Sequence, residues 1–242
     1  MELLLVTLIG LCFGSFLNVA ILRIPKGESV SFPASHCPVC KHSLKWYHNI
    51  PLLSWLMLRG KCAFCHTPIS LQYPLIELFS AVLFMLIYVK AHLFYESLLL
   101  GVIFALLLAL SIIDLRYKAV PDSLSLPALV LSFFVDPPLI SFQNGLLFMG
   151  GFTLLRFSVS ALLKKEAMGE ADIIIAGIIG ALLGIKLGMA AIYLSAIIAL
   201  IAFIIVRKKG YELPFIPFLS LALLLTWLFD TPILSLLGTI YE

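Results

Sequence analysis

Between Ile173 and Val206 the chain carries a single charged residue, Lys186. A hydrocarbon core of about 30 Å is crossed by roughly 20 residues of helix, so this run is too long for one crossing and suits two. Apolar stretches of comparable character recur from one end of the chain to the other. Together they exclude a soluble globular domain, for which 12% charged residues would be about half the usual share. The balance is made up by 62% hydrophobic residues and a mean hydropathy of +1.12. The expectation is an all-α polytopic membrane protein of about eight transmembrane helices with a small zinc-stapled cytoplasmic insert.

The predicted spans are about 2–22, 74–91, 97–114, 123–140, 144–163, 172–187, 189–206 and 214–237. The fourth is cut short by Asp136, Pro137 and Pro138, and Gly184 to Gly188 supplies the turn between the sixth and seventh. With this layout 13 of the 16 basic residues fall on one side: Arg23, Lys26, Lys41, Lys45, Arg59, Lys61, Arg116, Lys118, Lys164, Lys165, Arg207, Lys208 and Lys209. Lys90 and Lys186 lie opposite, and Arg156 lies inside the fifth span, close enough to its basic end to snorkel. Excess Lys and Arg marks the cytoplasmic side, which places the N-terminus outside. The first span begins with Glu2 rather than a basic region and lacks a small-x-small cleavage site, so it is not expected to be a cleaved signal. Cys12 follows Leu11, too large for lipoprotein processing, and reads as a packed thiol.

Three segments result: a first transmembrane helix (1–24), a cytoplasmic insert (25–73) and a membrane core (74–242). The insert holds "CPVC" and "CAFC", hence Cys37, Cys40, Cys62 and Cys65, with 21 residues between the two knuckles. Each knuckle offers two sulfurs from one tight turn, and two knuckles fit tetrahedral zinc. A reducing cytoplasm argues against disulfides, and a redox dithiol needs one such motif rather than two. Under fifty residues bury little core, so a structural zinc supplies the folding energy. His36, His42, His48 and His66 then fall to the solvated surface. Residues 23–73 have six Lys or Arg against one acid, Glu28, which suits a surface of anionic lipid.

Five acids stand at span boundaries: Glu77, Asp114, Asp122, Asp172 and Asp230. Asp114 ends the third span and Asp172 begins the sixth, both on the cytoplasmic side. Two carboxylates from different helices at one depth can share a proton, one activating water while the other polarises a carbonyl. The competing reading makes them helix-end residues, Asp172 as a first-turn acid and Asp114 paired with Arg116 or Lys118. Asp122 rivals Asp114 as first acid, although Pro121 before it suggests an N-cap. Asp230, on the far side, reads as structural. Gly180, Gly184 and Gly188, at four-residue spacing behind Asp172, favour close helix packing.

Four ordered stretches carry a resemblance: "GSFLNVAILRIP" (Gly14–Pro25), the cysteine segment Cys37–Glu77, "IDLRYKAVPDSLSLP" (Ile113–Pro127) and "LPFIPFL" (Leu213–Leu219). The chain closely resembles the type IV prepilin peptidases, membrane aspartic proteases that cleave prepilin leaders and N-methylate the new terminus. The resemblance implies Asp114 and Asp172 as the catalytic pair and S-adenosylmethionine as methyl donor; no Gly-rich nucleotide loop is present, so the methyl donor enters only through the resemblance. It implies type IV prepilins or pseudopilins as substrates: a basic leader followed by a hydrophobic helix, with the scissile bond at the cytoplasmic membrane face. Membrane lipid is the other expected partner, nucleic acid is not expected, and the location implied is the bacterial cytoplasmic (inner) membrane.

One departure stands out. Where the family has G-x-G-D, this chain has Gly169-Glu170-Ala171-Asp172. Ala171 argues against a need for positive φ there. Glu170 is expected to add a third acid beside the pair and to make ionising Asp172 harder. Two other classes compete: a zinc-stapled membrane scaffold with structural acids, and an acid-relay transporter. A relay would place acids near the midplane in both halves of a repeat, and no such repeat is present. A scaffold has no need of two acids at one depth.

Overall fold

The computed structural model describes residues 1–135, 137–164, 168–206 and 213–241. Asp136 and the loop cations Lys165, Arg207, Lys208 and Lys209, which enter the predicted topology, lie outside the described residues. The chain divides into two compact units, Met1–Ala105 and Leu106–Glu242. Helix α4 (Phe94–Tyr117) contributes its first half to one and its second half to the other.

In the first unit, α1 (Glu2–Arg23) packs on α3 (Gln72–Ala91), and the insert between them contains one short α-helix, α2 (Leu53–Met57), besides two 3-10 turns. Gly10 and Gly14, four residues apart, make the pairing close. A Cβ at Gly14 would sit 2.8 Å from Glu77 Cα, and one at Gly10 2.9 Å from Phe84 Cβ. In lipid, where apolar burial does not drive helices together, such small residues let backbones approach. Asn18, buried on α1, donates from Nδ2 to Tyr73 O at 3.1 Å and fixes the register of the pair.

The second unit adds α5 (Asp122–Ser132), α6 (Pro138–Leu163), α7 (Glu170–Val206), α8 (Ile216–Leu228) and α9 (Asp230–Tyr241). Helix α7 is two arms meeting at Gly184, whose φ of 68° and ψ of −169° leave the helical region. The contacts across this break show its sharpness. Cβ atoms at Gly180 and at Gly188 would each meet the Phe148 ring at 2.6 Å, on Cδ2 and Cζ respectively. Two positions touching one ring lie within about 8 Å, whereas eight residues of straight helix would part them by about 12 Å. The chain therefore folds back at Gly184, the turn that the sequence predicts.

The first arm is the centre of the unit, with Ile175, Ile178 and Ile179 fully buried under α5, α6 and α8. The second arm buries only Gly188, Ala191, Ser195 and Ala199 and leaves Tyr193, Ile197, Leu200 and Ile204 exposed. That pattern is a small-residue seam towards protein and a bulky face towards lipid.

Five of the described helices are long and apolar enough to cross a membrane, or six if α8 and α9, bent by 83°, count as one span. The eight predicted segments are recovered when the arms of α7 are counted separately and α5 is included. At 11 residues, however, α5 reaches only about 16 Å and does not span. Helix α6 starts at Pro138, where proline suits a first helical position, rather than near 144. Asp122 is the first residue of α5 and not its cap; the cap is Pro121, and no side chain caps the helix. As an exposed first-turn acid, Asp122 favours the helix dipole instead.

Candidate active site and metal centre

In the insert, the two cysteine knuckles fold as near copies. Cys37 N–H donates to His42 O at 3.0 Å and Cys62 N–H to Thr67 O at 2.9 Å; the following turns close as Lys41 N–H to Cys37 O and His66 N–H to Cys62 O. Lys41 and His66 both take positive φ, 59° and 56°. Outside each turn a further pair matches: Leu44 N–H to Ser35 O, and Ile69 N–H to Gly60 O. The repeat aims four sulfurs at one point, and those of Cys37, Cys40, Cys62 and Cys65 all lie within 4.8 Å of one another. Cys37 Sγ and Cys65 Sγ are 3.7 Å apart. Zinc–sulfur bonds of about 2.3 Å in a tetrahedron require sulfurs about 3.8 Å apart, close to the Cys37–Cys65 spacing, so the cluster suits a tetrahedral metal ion. Among the described residues no histidine joins it: the His42 ring stacks at 3.7 Å on Phe64 and His36 Nδ1 meets Ala34 O.

The thiols are also prepared as ligands. Cys40 N–H holds the Cys37 thiol below its usual range, and the Thr67 hydroxyl and N–H bring Cys65 down to about 6. Cys40 goes the other way. His42 N–H favours its thiolate, but burial and the neighbouring sulfurs push it up to about 11. Without a cation Cys40 keeps its proton; a bound dication favours four thiolates.

In the second unit, Asp114 ends α4 and is buried, 7% exposed. Its Oδ2 accepts the N–H of Ile216, the first residue of α8, at 3.3 Å. Asp172 stands in the first turn of α7, where its Oδ2 accepts Gly169 N–H at 3.1 Å. That bond is the reach-back half of a capping box. Each carboxylate thus takes an otherwise orphaned N–H at the positive end of a helix, an arrangement that supports negative charge. Among the described residues, no protein hydrogen bond is recorded for Oδ1 of either carboxylate.

Glu170 stands apart from the pair. Its carboxylate is 83% exposed and bonded to Arg156, with Nη1 at 3.2 Å. The expected third acid is therefore balanced by a cation, and Arg156, expected to snorkel, has a partner one helix away. Ala171 has no positive φ and lies within α7, as its side chain demands. Among the described residues, a Cβ on Gly169 would touch only Asp172 Oδ2, at 3.5 Å.

Two features have no role in the sequence reading. One is the Ile216 N–H, supplied by "LPFIPFL", where Pro217 fixes the start of α8. The other is Glu77, whose Oε2 accepts Leu52 N–H at 2.8 Å and so ties the insert to α3. A cavity of about 380 Å³ lies at the opposite end of the second unit, lined by Ser141, Asn144, Gly184, Trp227 and Asp230. It includes neither Asp114 nor Asp172.

Fold and sites define a class: a multi-pass, all-helical membrane protein with a four-cysteine cluster in an extramembrane insert and two acids at helix ends. Residues 8–91 match the bacterial peptidase A24 N-terminal domain, and residues 101–204 match the type IV leader peptidase family. A prepilin leader peptidase/N-methyltransferase of Myxococcus xanthus is 38% identical over 72% of this chain and 54% of its own length. A second, from Neisseria gonorrhoeae, is 34% identical over 90% of this chain and 87% of its own length. An Escherichia coli type 4 prepilin-like proteins leader peptide-processing enzyme is 33% identical over 90% of each. No solved structure matches the chain. The chain belongs to the type IV leader peptidase family.

Proposed function

We propose that this protein is a bifunctional inner-membrane enzyme that cleaves the basic leader of type IV prepilins or pseudopilins and then N-methylates the exposed terminus. The proposed peptidase centre is Asp114 and Asp172. One carboxylate activates water, and the other protonates or polarises the scissile carbonyl. The observation that carries this reading is the matched geometry of the pair. In each, Oδ2 accepts a backbone N–H at a helix start. Helix capping alone accounts for each of these bonds; what favours the catalytic reading is that both acids lie in the segment that matches the type IV leader peptidase family.

The proposed orientation puts the N-terminus outside and the insert in the cytoplasm, supported by the excess of Lys and Arg there. Residues 1–24, 25–73 and 74–242 then act as first helix, zinc-stapled insert and peptidase core. Cys37, Cys40, Cys62 and Cys65 hold the zinc, whose contribution is structural. S-adenosylmethionine supplies the methyl group. The basic insert does not attract a basic leader; it suits the carboxylate of the methyl donor or an acidic residue just past the cut.

The test uses the full chain in lipid with a synthetic prepilin segment and S-adenosylmethionine, read by mass spectrometry. Loss of the leader followed by a gain of one methyl group on the new terminus is expected. An intact substrate under these conditions contradicts the peptidase reading, and a cleaved, unmethylated product contradicts the methyltransferase half.

A further inference from the structure

The insert does not stand wholly clear of the membrane helices. Pro51, Leu52 and Leu53 form a γ-turn, closed by Leu53 N–H to Pro51 O at 2.6 Å, with Leu52 at φ 59° and ψ −50°. This is a rare and strained conformation, held only where surroundings impose it. The imposing contact is Glu77, whose buried carboxylate takes the Leu52 N–H that the turn directs outward.

Glu77 fixes the depth of this turn. It lies five residues into α3, about 7.5 Å from the start of that helix. It is level with Gly14 of α1, whose missing side chain would meet Glu77 Cα at 2.8 Å. Gly14 lies nine residues before Arg23, the last residue of α1, which is about 13 Å of helix. The chain of the insert therefore returns well below the end of α1, to the level of residues that belong to apolar spans.

The side chains at this level are of the wrong kind for water. Helix α2 and its flanks expose Ile50, Leu53, Leu56 and Met57, the last 83% exposed, and Trp46 nearby is 79% exposed. On the turns of α3 around Glu77, Leu75, Leu78 and Phe79 are exposed too, so both segments joined by the Glu77–Leu52 bond present apolar side chains outward. Lys45 precedes the stretch and Arg59 follows it, the cations expected beside anionic headgroups.

We propose that α2 with Trp46, Ile50, Leu53, Leu56 and Met57 is an interfacial anchor whose partner is the lipid of the surrounding leaflet. Glu77 is the positioning residue that holds it at depth. Bedding α2 in lipid removes its exposed apolar area from water and ties the four-cysteine cluster, five residues beyond α2, to a fixed height above the bilayer. The inference rests on the multi-pass membrane character of the chain and not on peptidase chemistry.

The test is tryptophan quenching in full-length protein embedded in nanodiscs, comparing brominated with ordinary acidic lipid. Two exposed positions carry the probe: Met57→Trp adds emission to wild type, and Trp46→Phe removes the native signal. Both difference signals should lose most of their intensity in brominated lipid and resist acrylamide in the aqueous phase. Glu77→Ala should return the Met57→Trp signal to the acrylamide-sensitive class while the rest of the protein stays inserted. Quenching by acrylamide and not by brominated lipid in the parent protein overturns the proposal. So does protection that appears only on adding prepilin segment or on raising the protein-to-lipid ratio, which would assign the face to substrate or to a second copy.

Discussion

The sulfur cluster and the carboxylate pair are assembled in opposite ways. Cys37 and Cys65 lie 28 positions apart, and each knuckle is shaped by hydrogen bonds spanning a few residues. The local chain makes the turn, and the cluster needs only two turns to meet. Asp114 and the N–H it accepts lie 102 positions apart, on helices whose meeting depends on the packing of the whole second unit. A centre built from local turns is a folding device that can be emptied and refilled. A centre built where helices converge is only as good as the packing behind it, and the buried stretch from Ile175 to Leu182 in the first arm of α7 supplies that packing.

The contrast fixes what should break each centre. The largest effect belongs to the carboxylates. Asp114→Asn and Asp172→Asn should each lower leader cleavage by about 10³-fold or more, since each removes a proton-transfer partner from a unit that acts together. Both variants should remain inserted and folded, because Asn keeps an acceptor for Ile216 or Gly169. Exposed Asp122→Asn should leave the cleavage rate near that of the wild type.

Stripping the metal comes next. Chelation, or Ser at any one of Cys37, Cys40, Cys62 and Cys65, should make the insert susceptible to proteolysis, because the ion stands in for a core. Peptidase activity should survive, and limited proteolysis with metal analysis reads the difference. Glu77→Ala should cost about 1–3 kcal/mol of insert stability by leaving the Leu52 N–H unpaired. Glu77→Gln, which keeps an acceptor oxygen, should recover most of it, as thermal unfolding would report. The smallest effect is expected at Ala171→Gly. With no positive φ to relieve, glycine there brings only the helix penalty of about 1 kcal/mol, and a large gain in cleavage rate would contradict the described backbone.

The same contrast explains what could be read in advance. The two C-x-x-C knuckles announce their chemistry in four letters each, and the apolar runs announce helices, because both signals are local. The Gly184 turn was legible because one crossing cannot absorb so long a run. The 11-residue α5 was not, because "PDSLSLPALVLS" is apolar enough to pass for a span while its length is settled by where the chain must turn. Glu170 looked like a burden on Asp172 in sequence; Arg156, fourteen positions earlier, neutralises it from another helix. The Ile216 N–H carries no letter at all. Only Pro217, which sets the helix start, hinted at a free donor. The insert was expected to meet anionic lipid through its basic charge, and the Glu77–Leu52 contact was not legible because it depends on a fold that brings residues 52 and 77 together.

The most direct test of two separable centres is to measure metal content and leader cleavage on the same purified samples of wild type, Asp114→Asn and chelator-treated protein. The account predicts about one zinc per chain with no cleavage in Asp114→Asn, and cleavage without zinc after chelation. Cleavage that persists in Asp114→Asn, or that vanishes and returns with zinc, would contradict it.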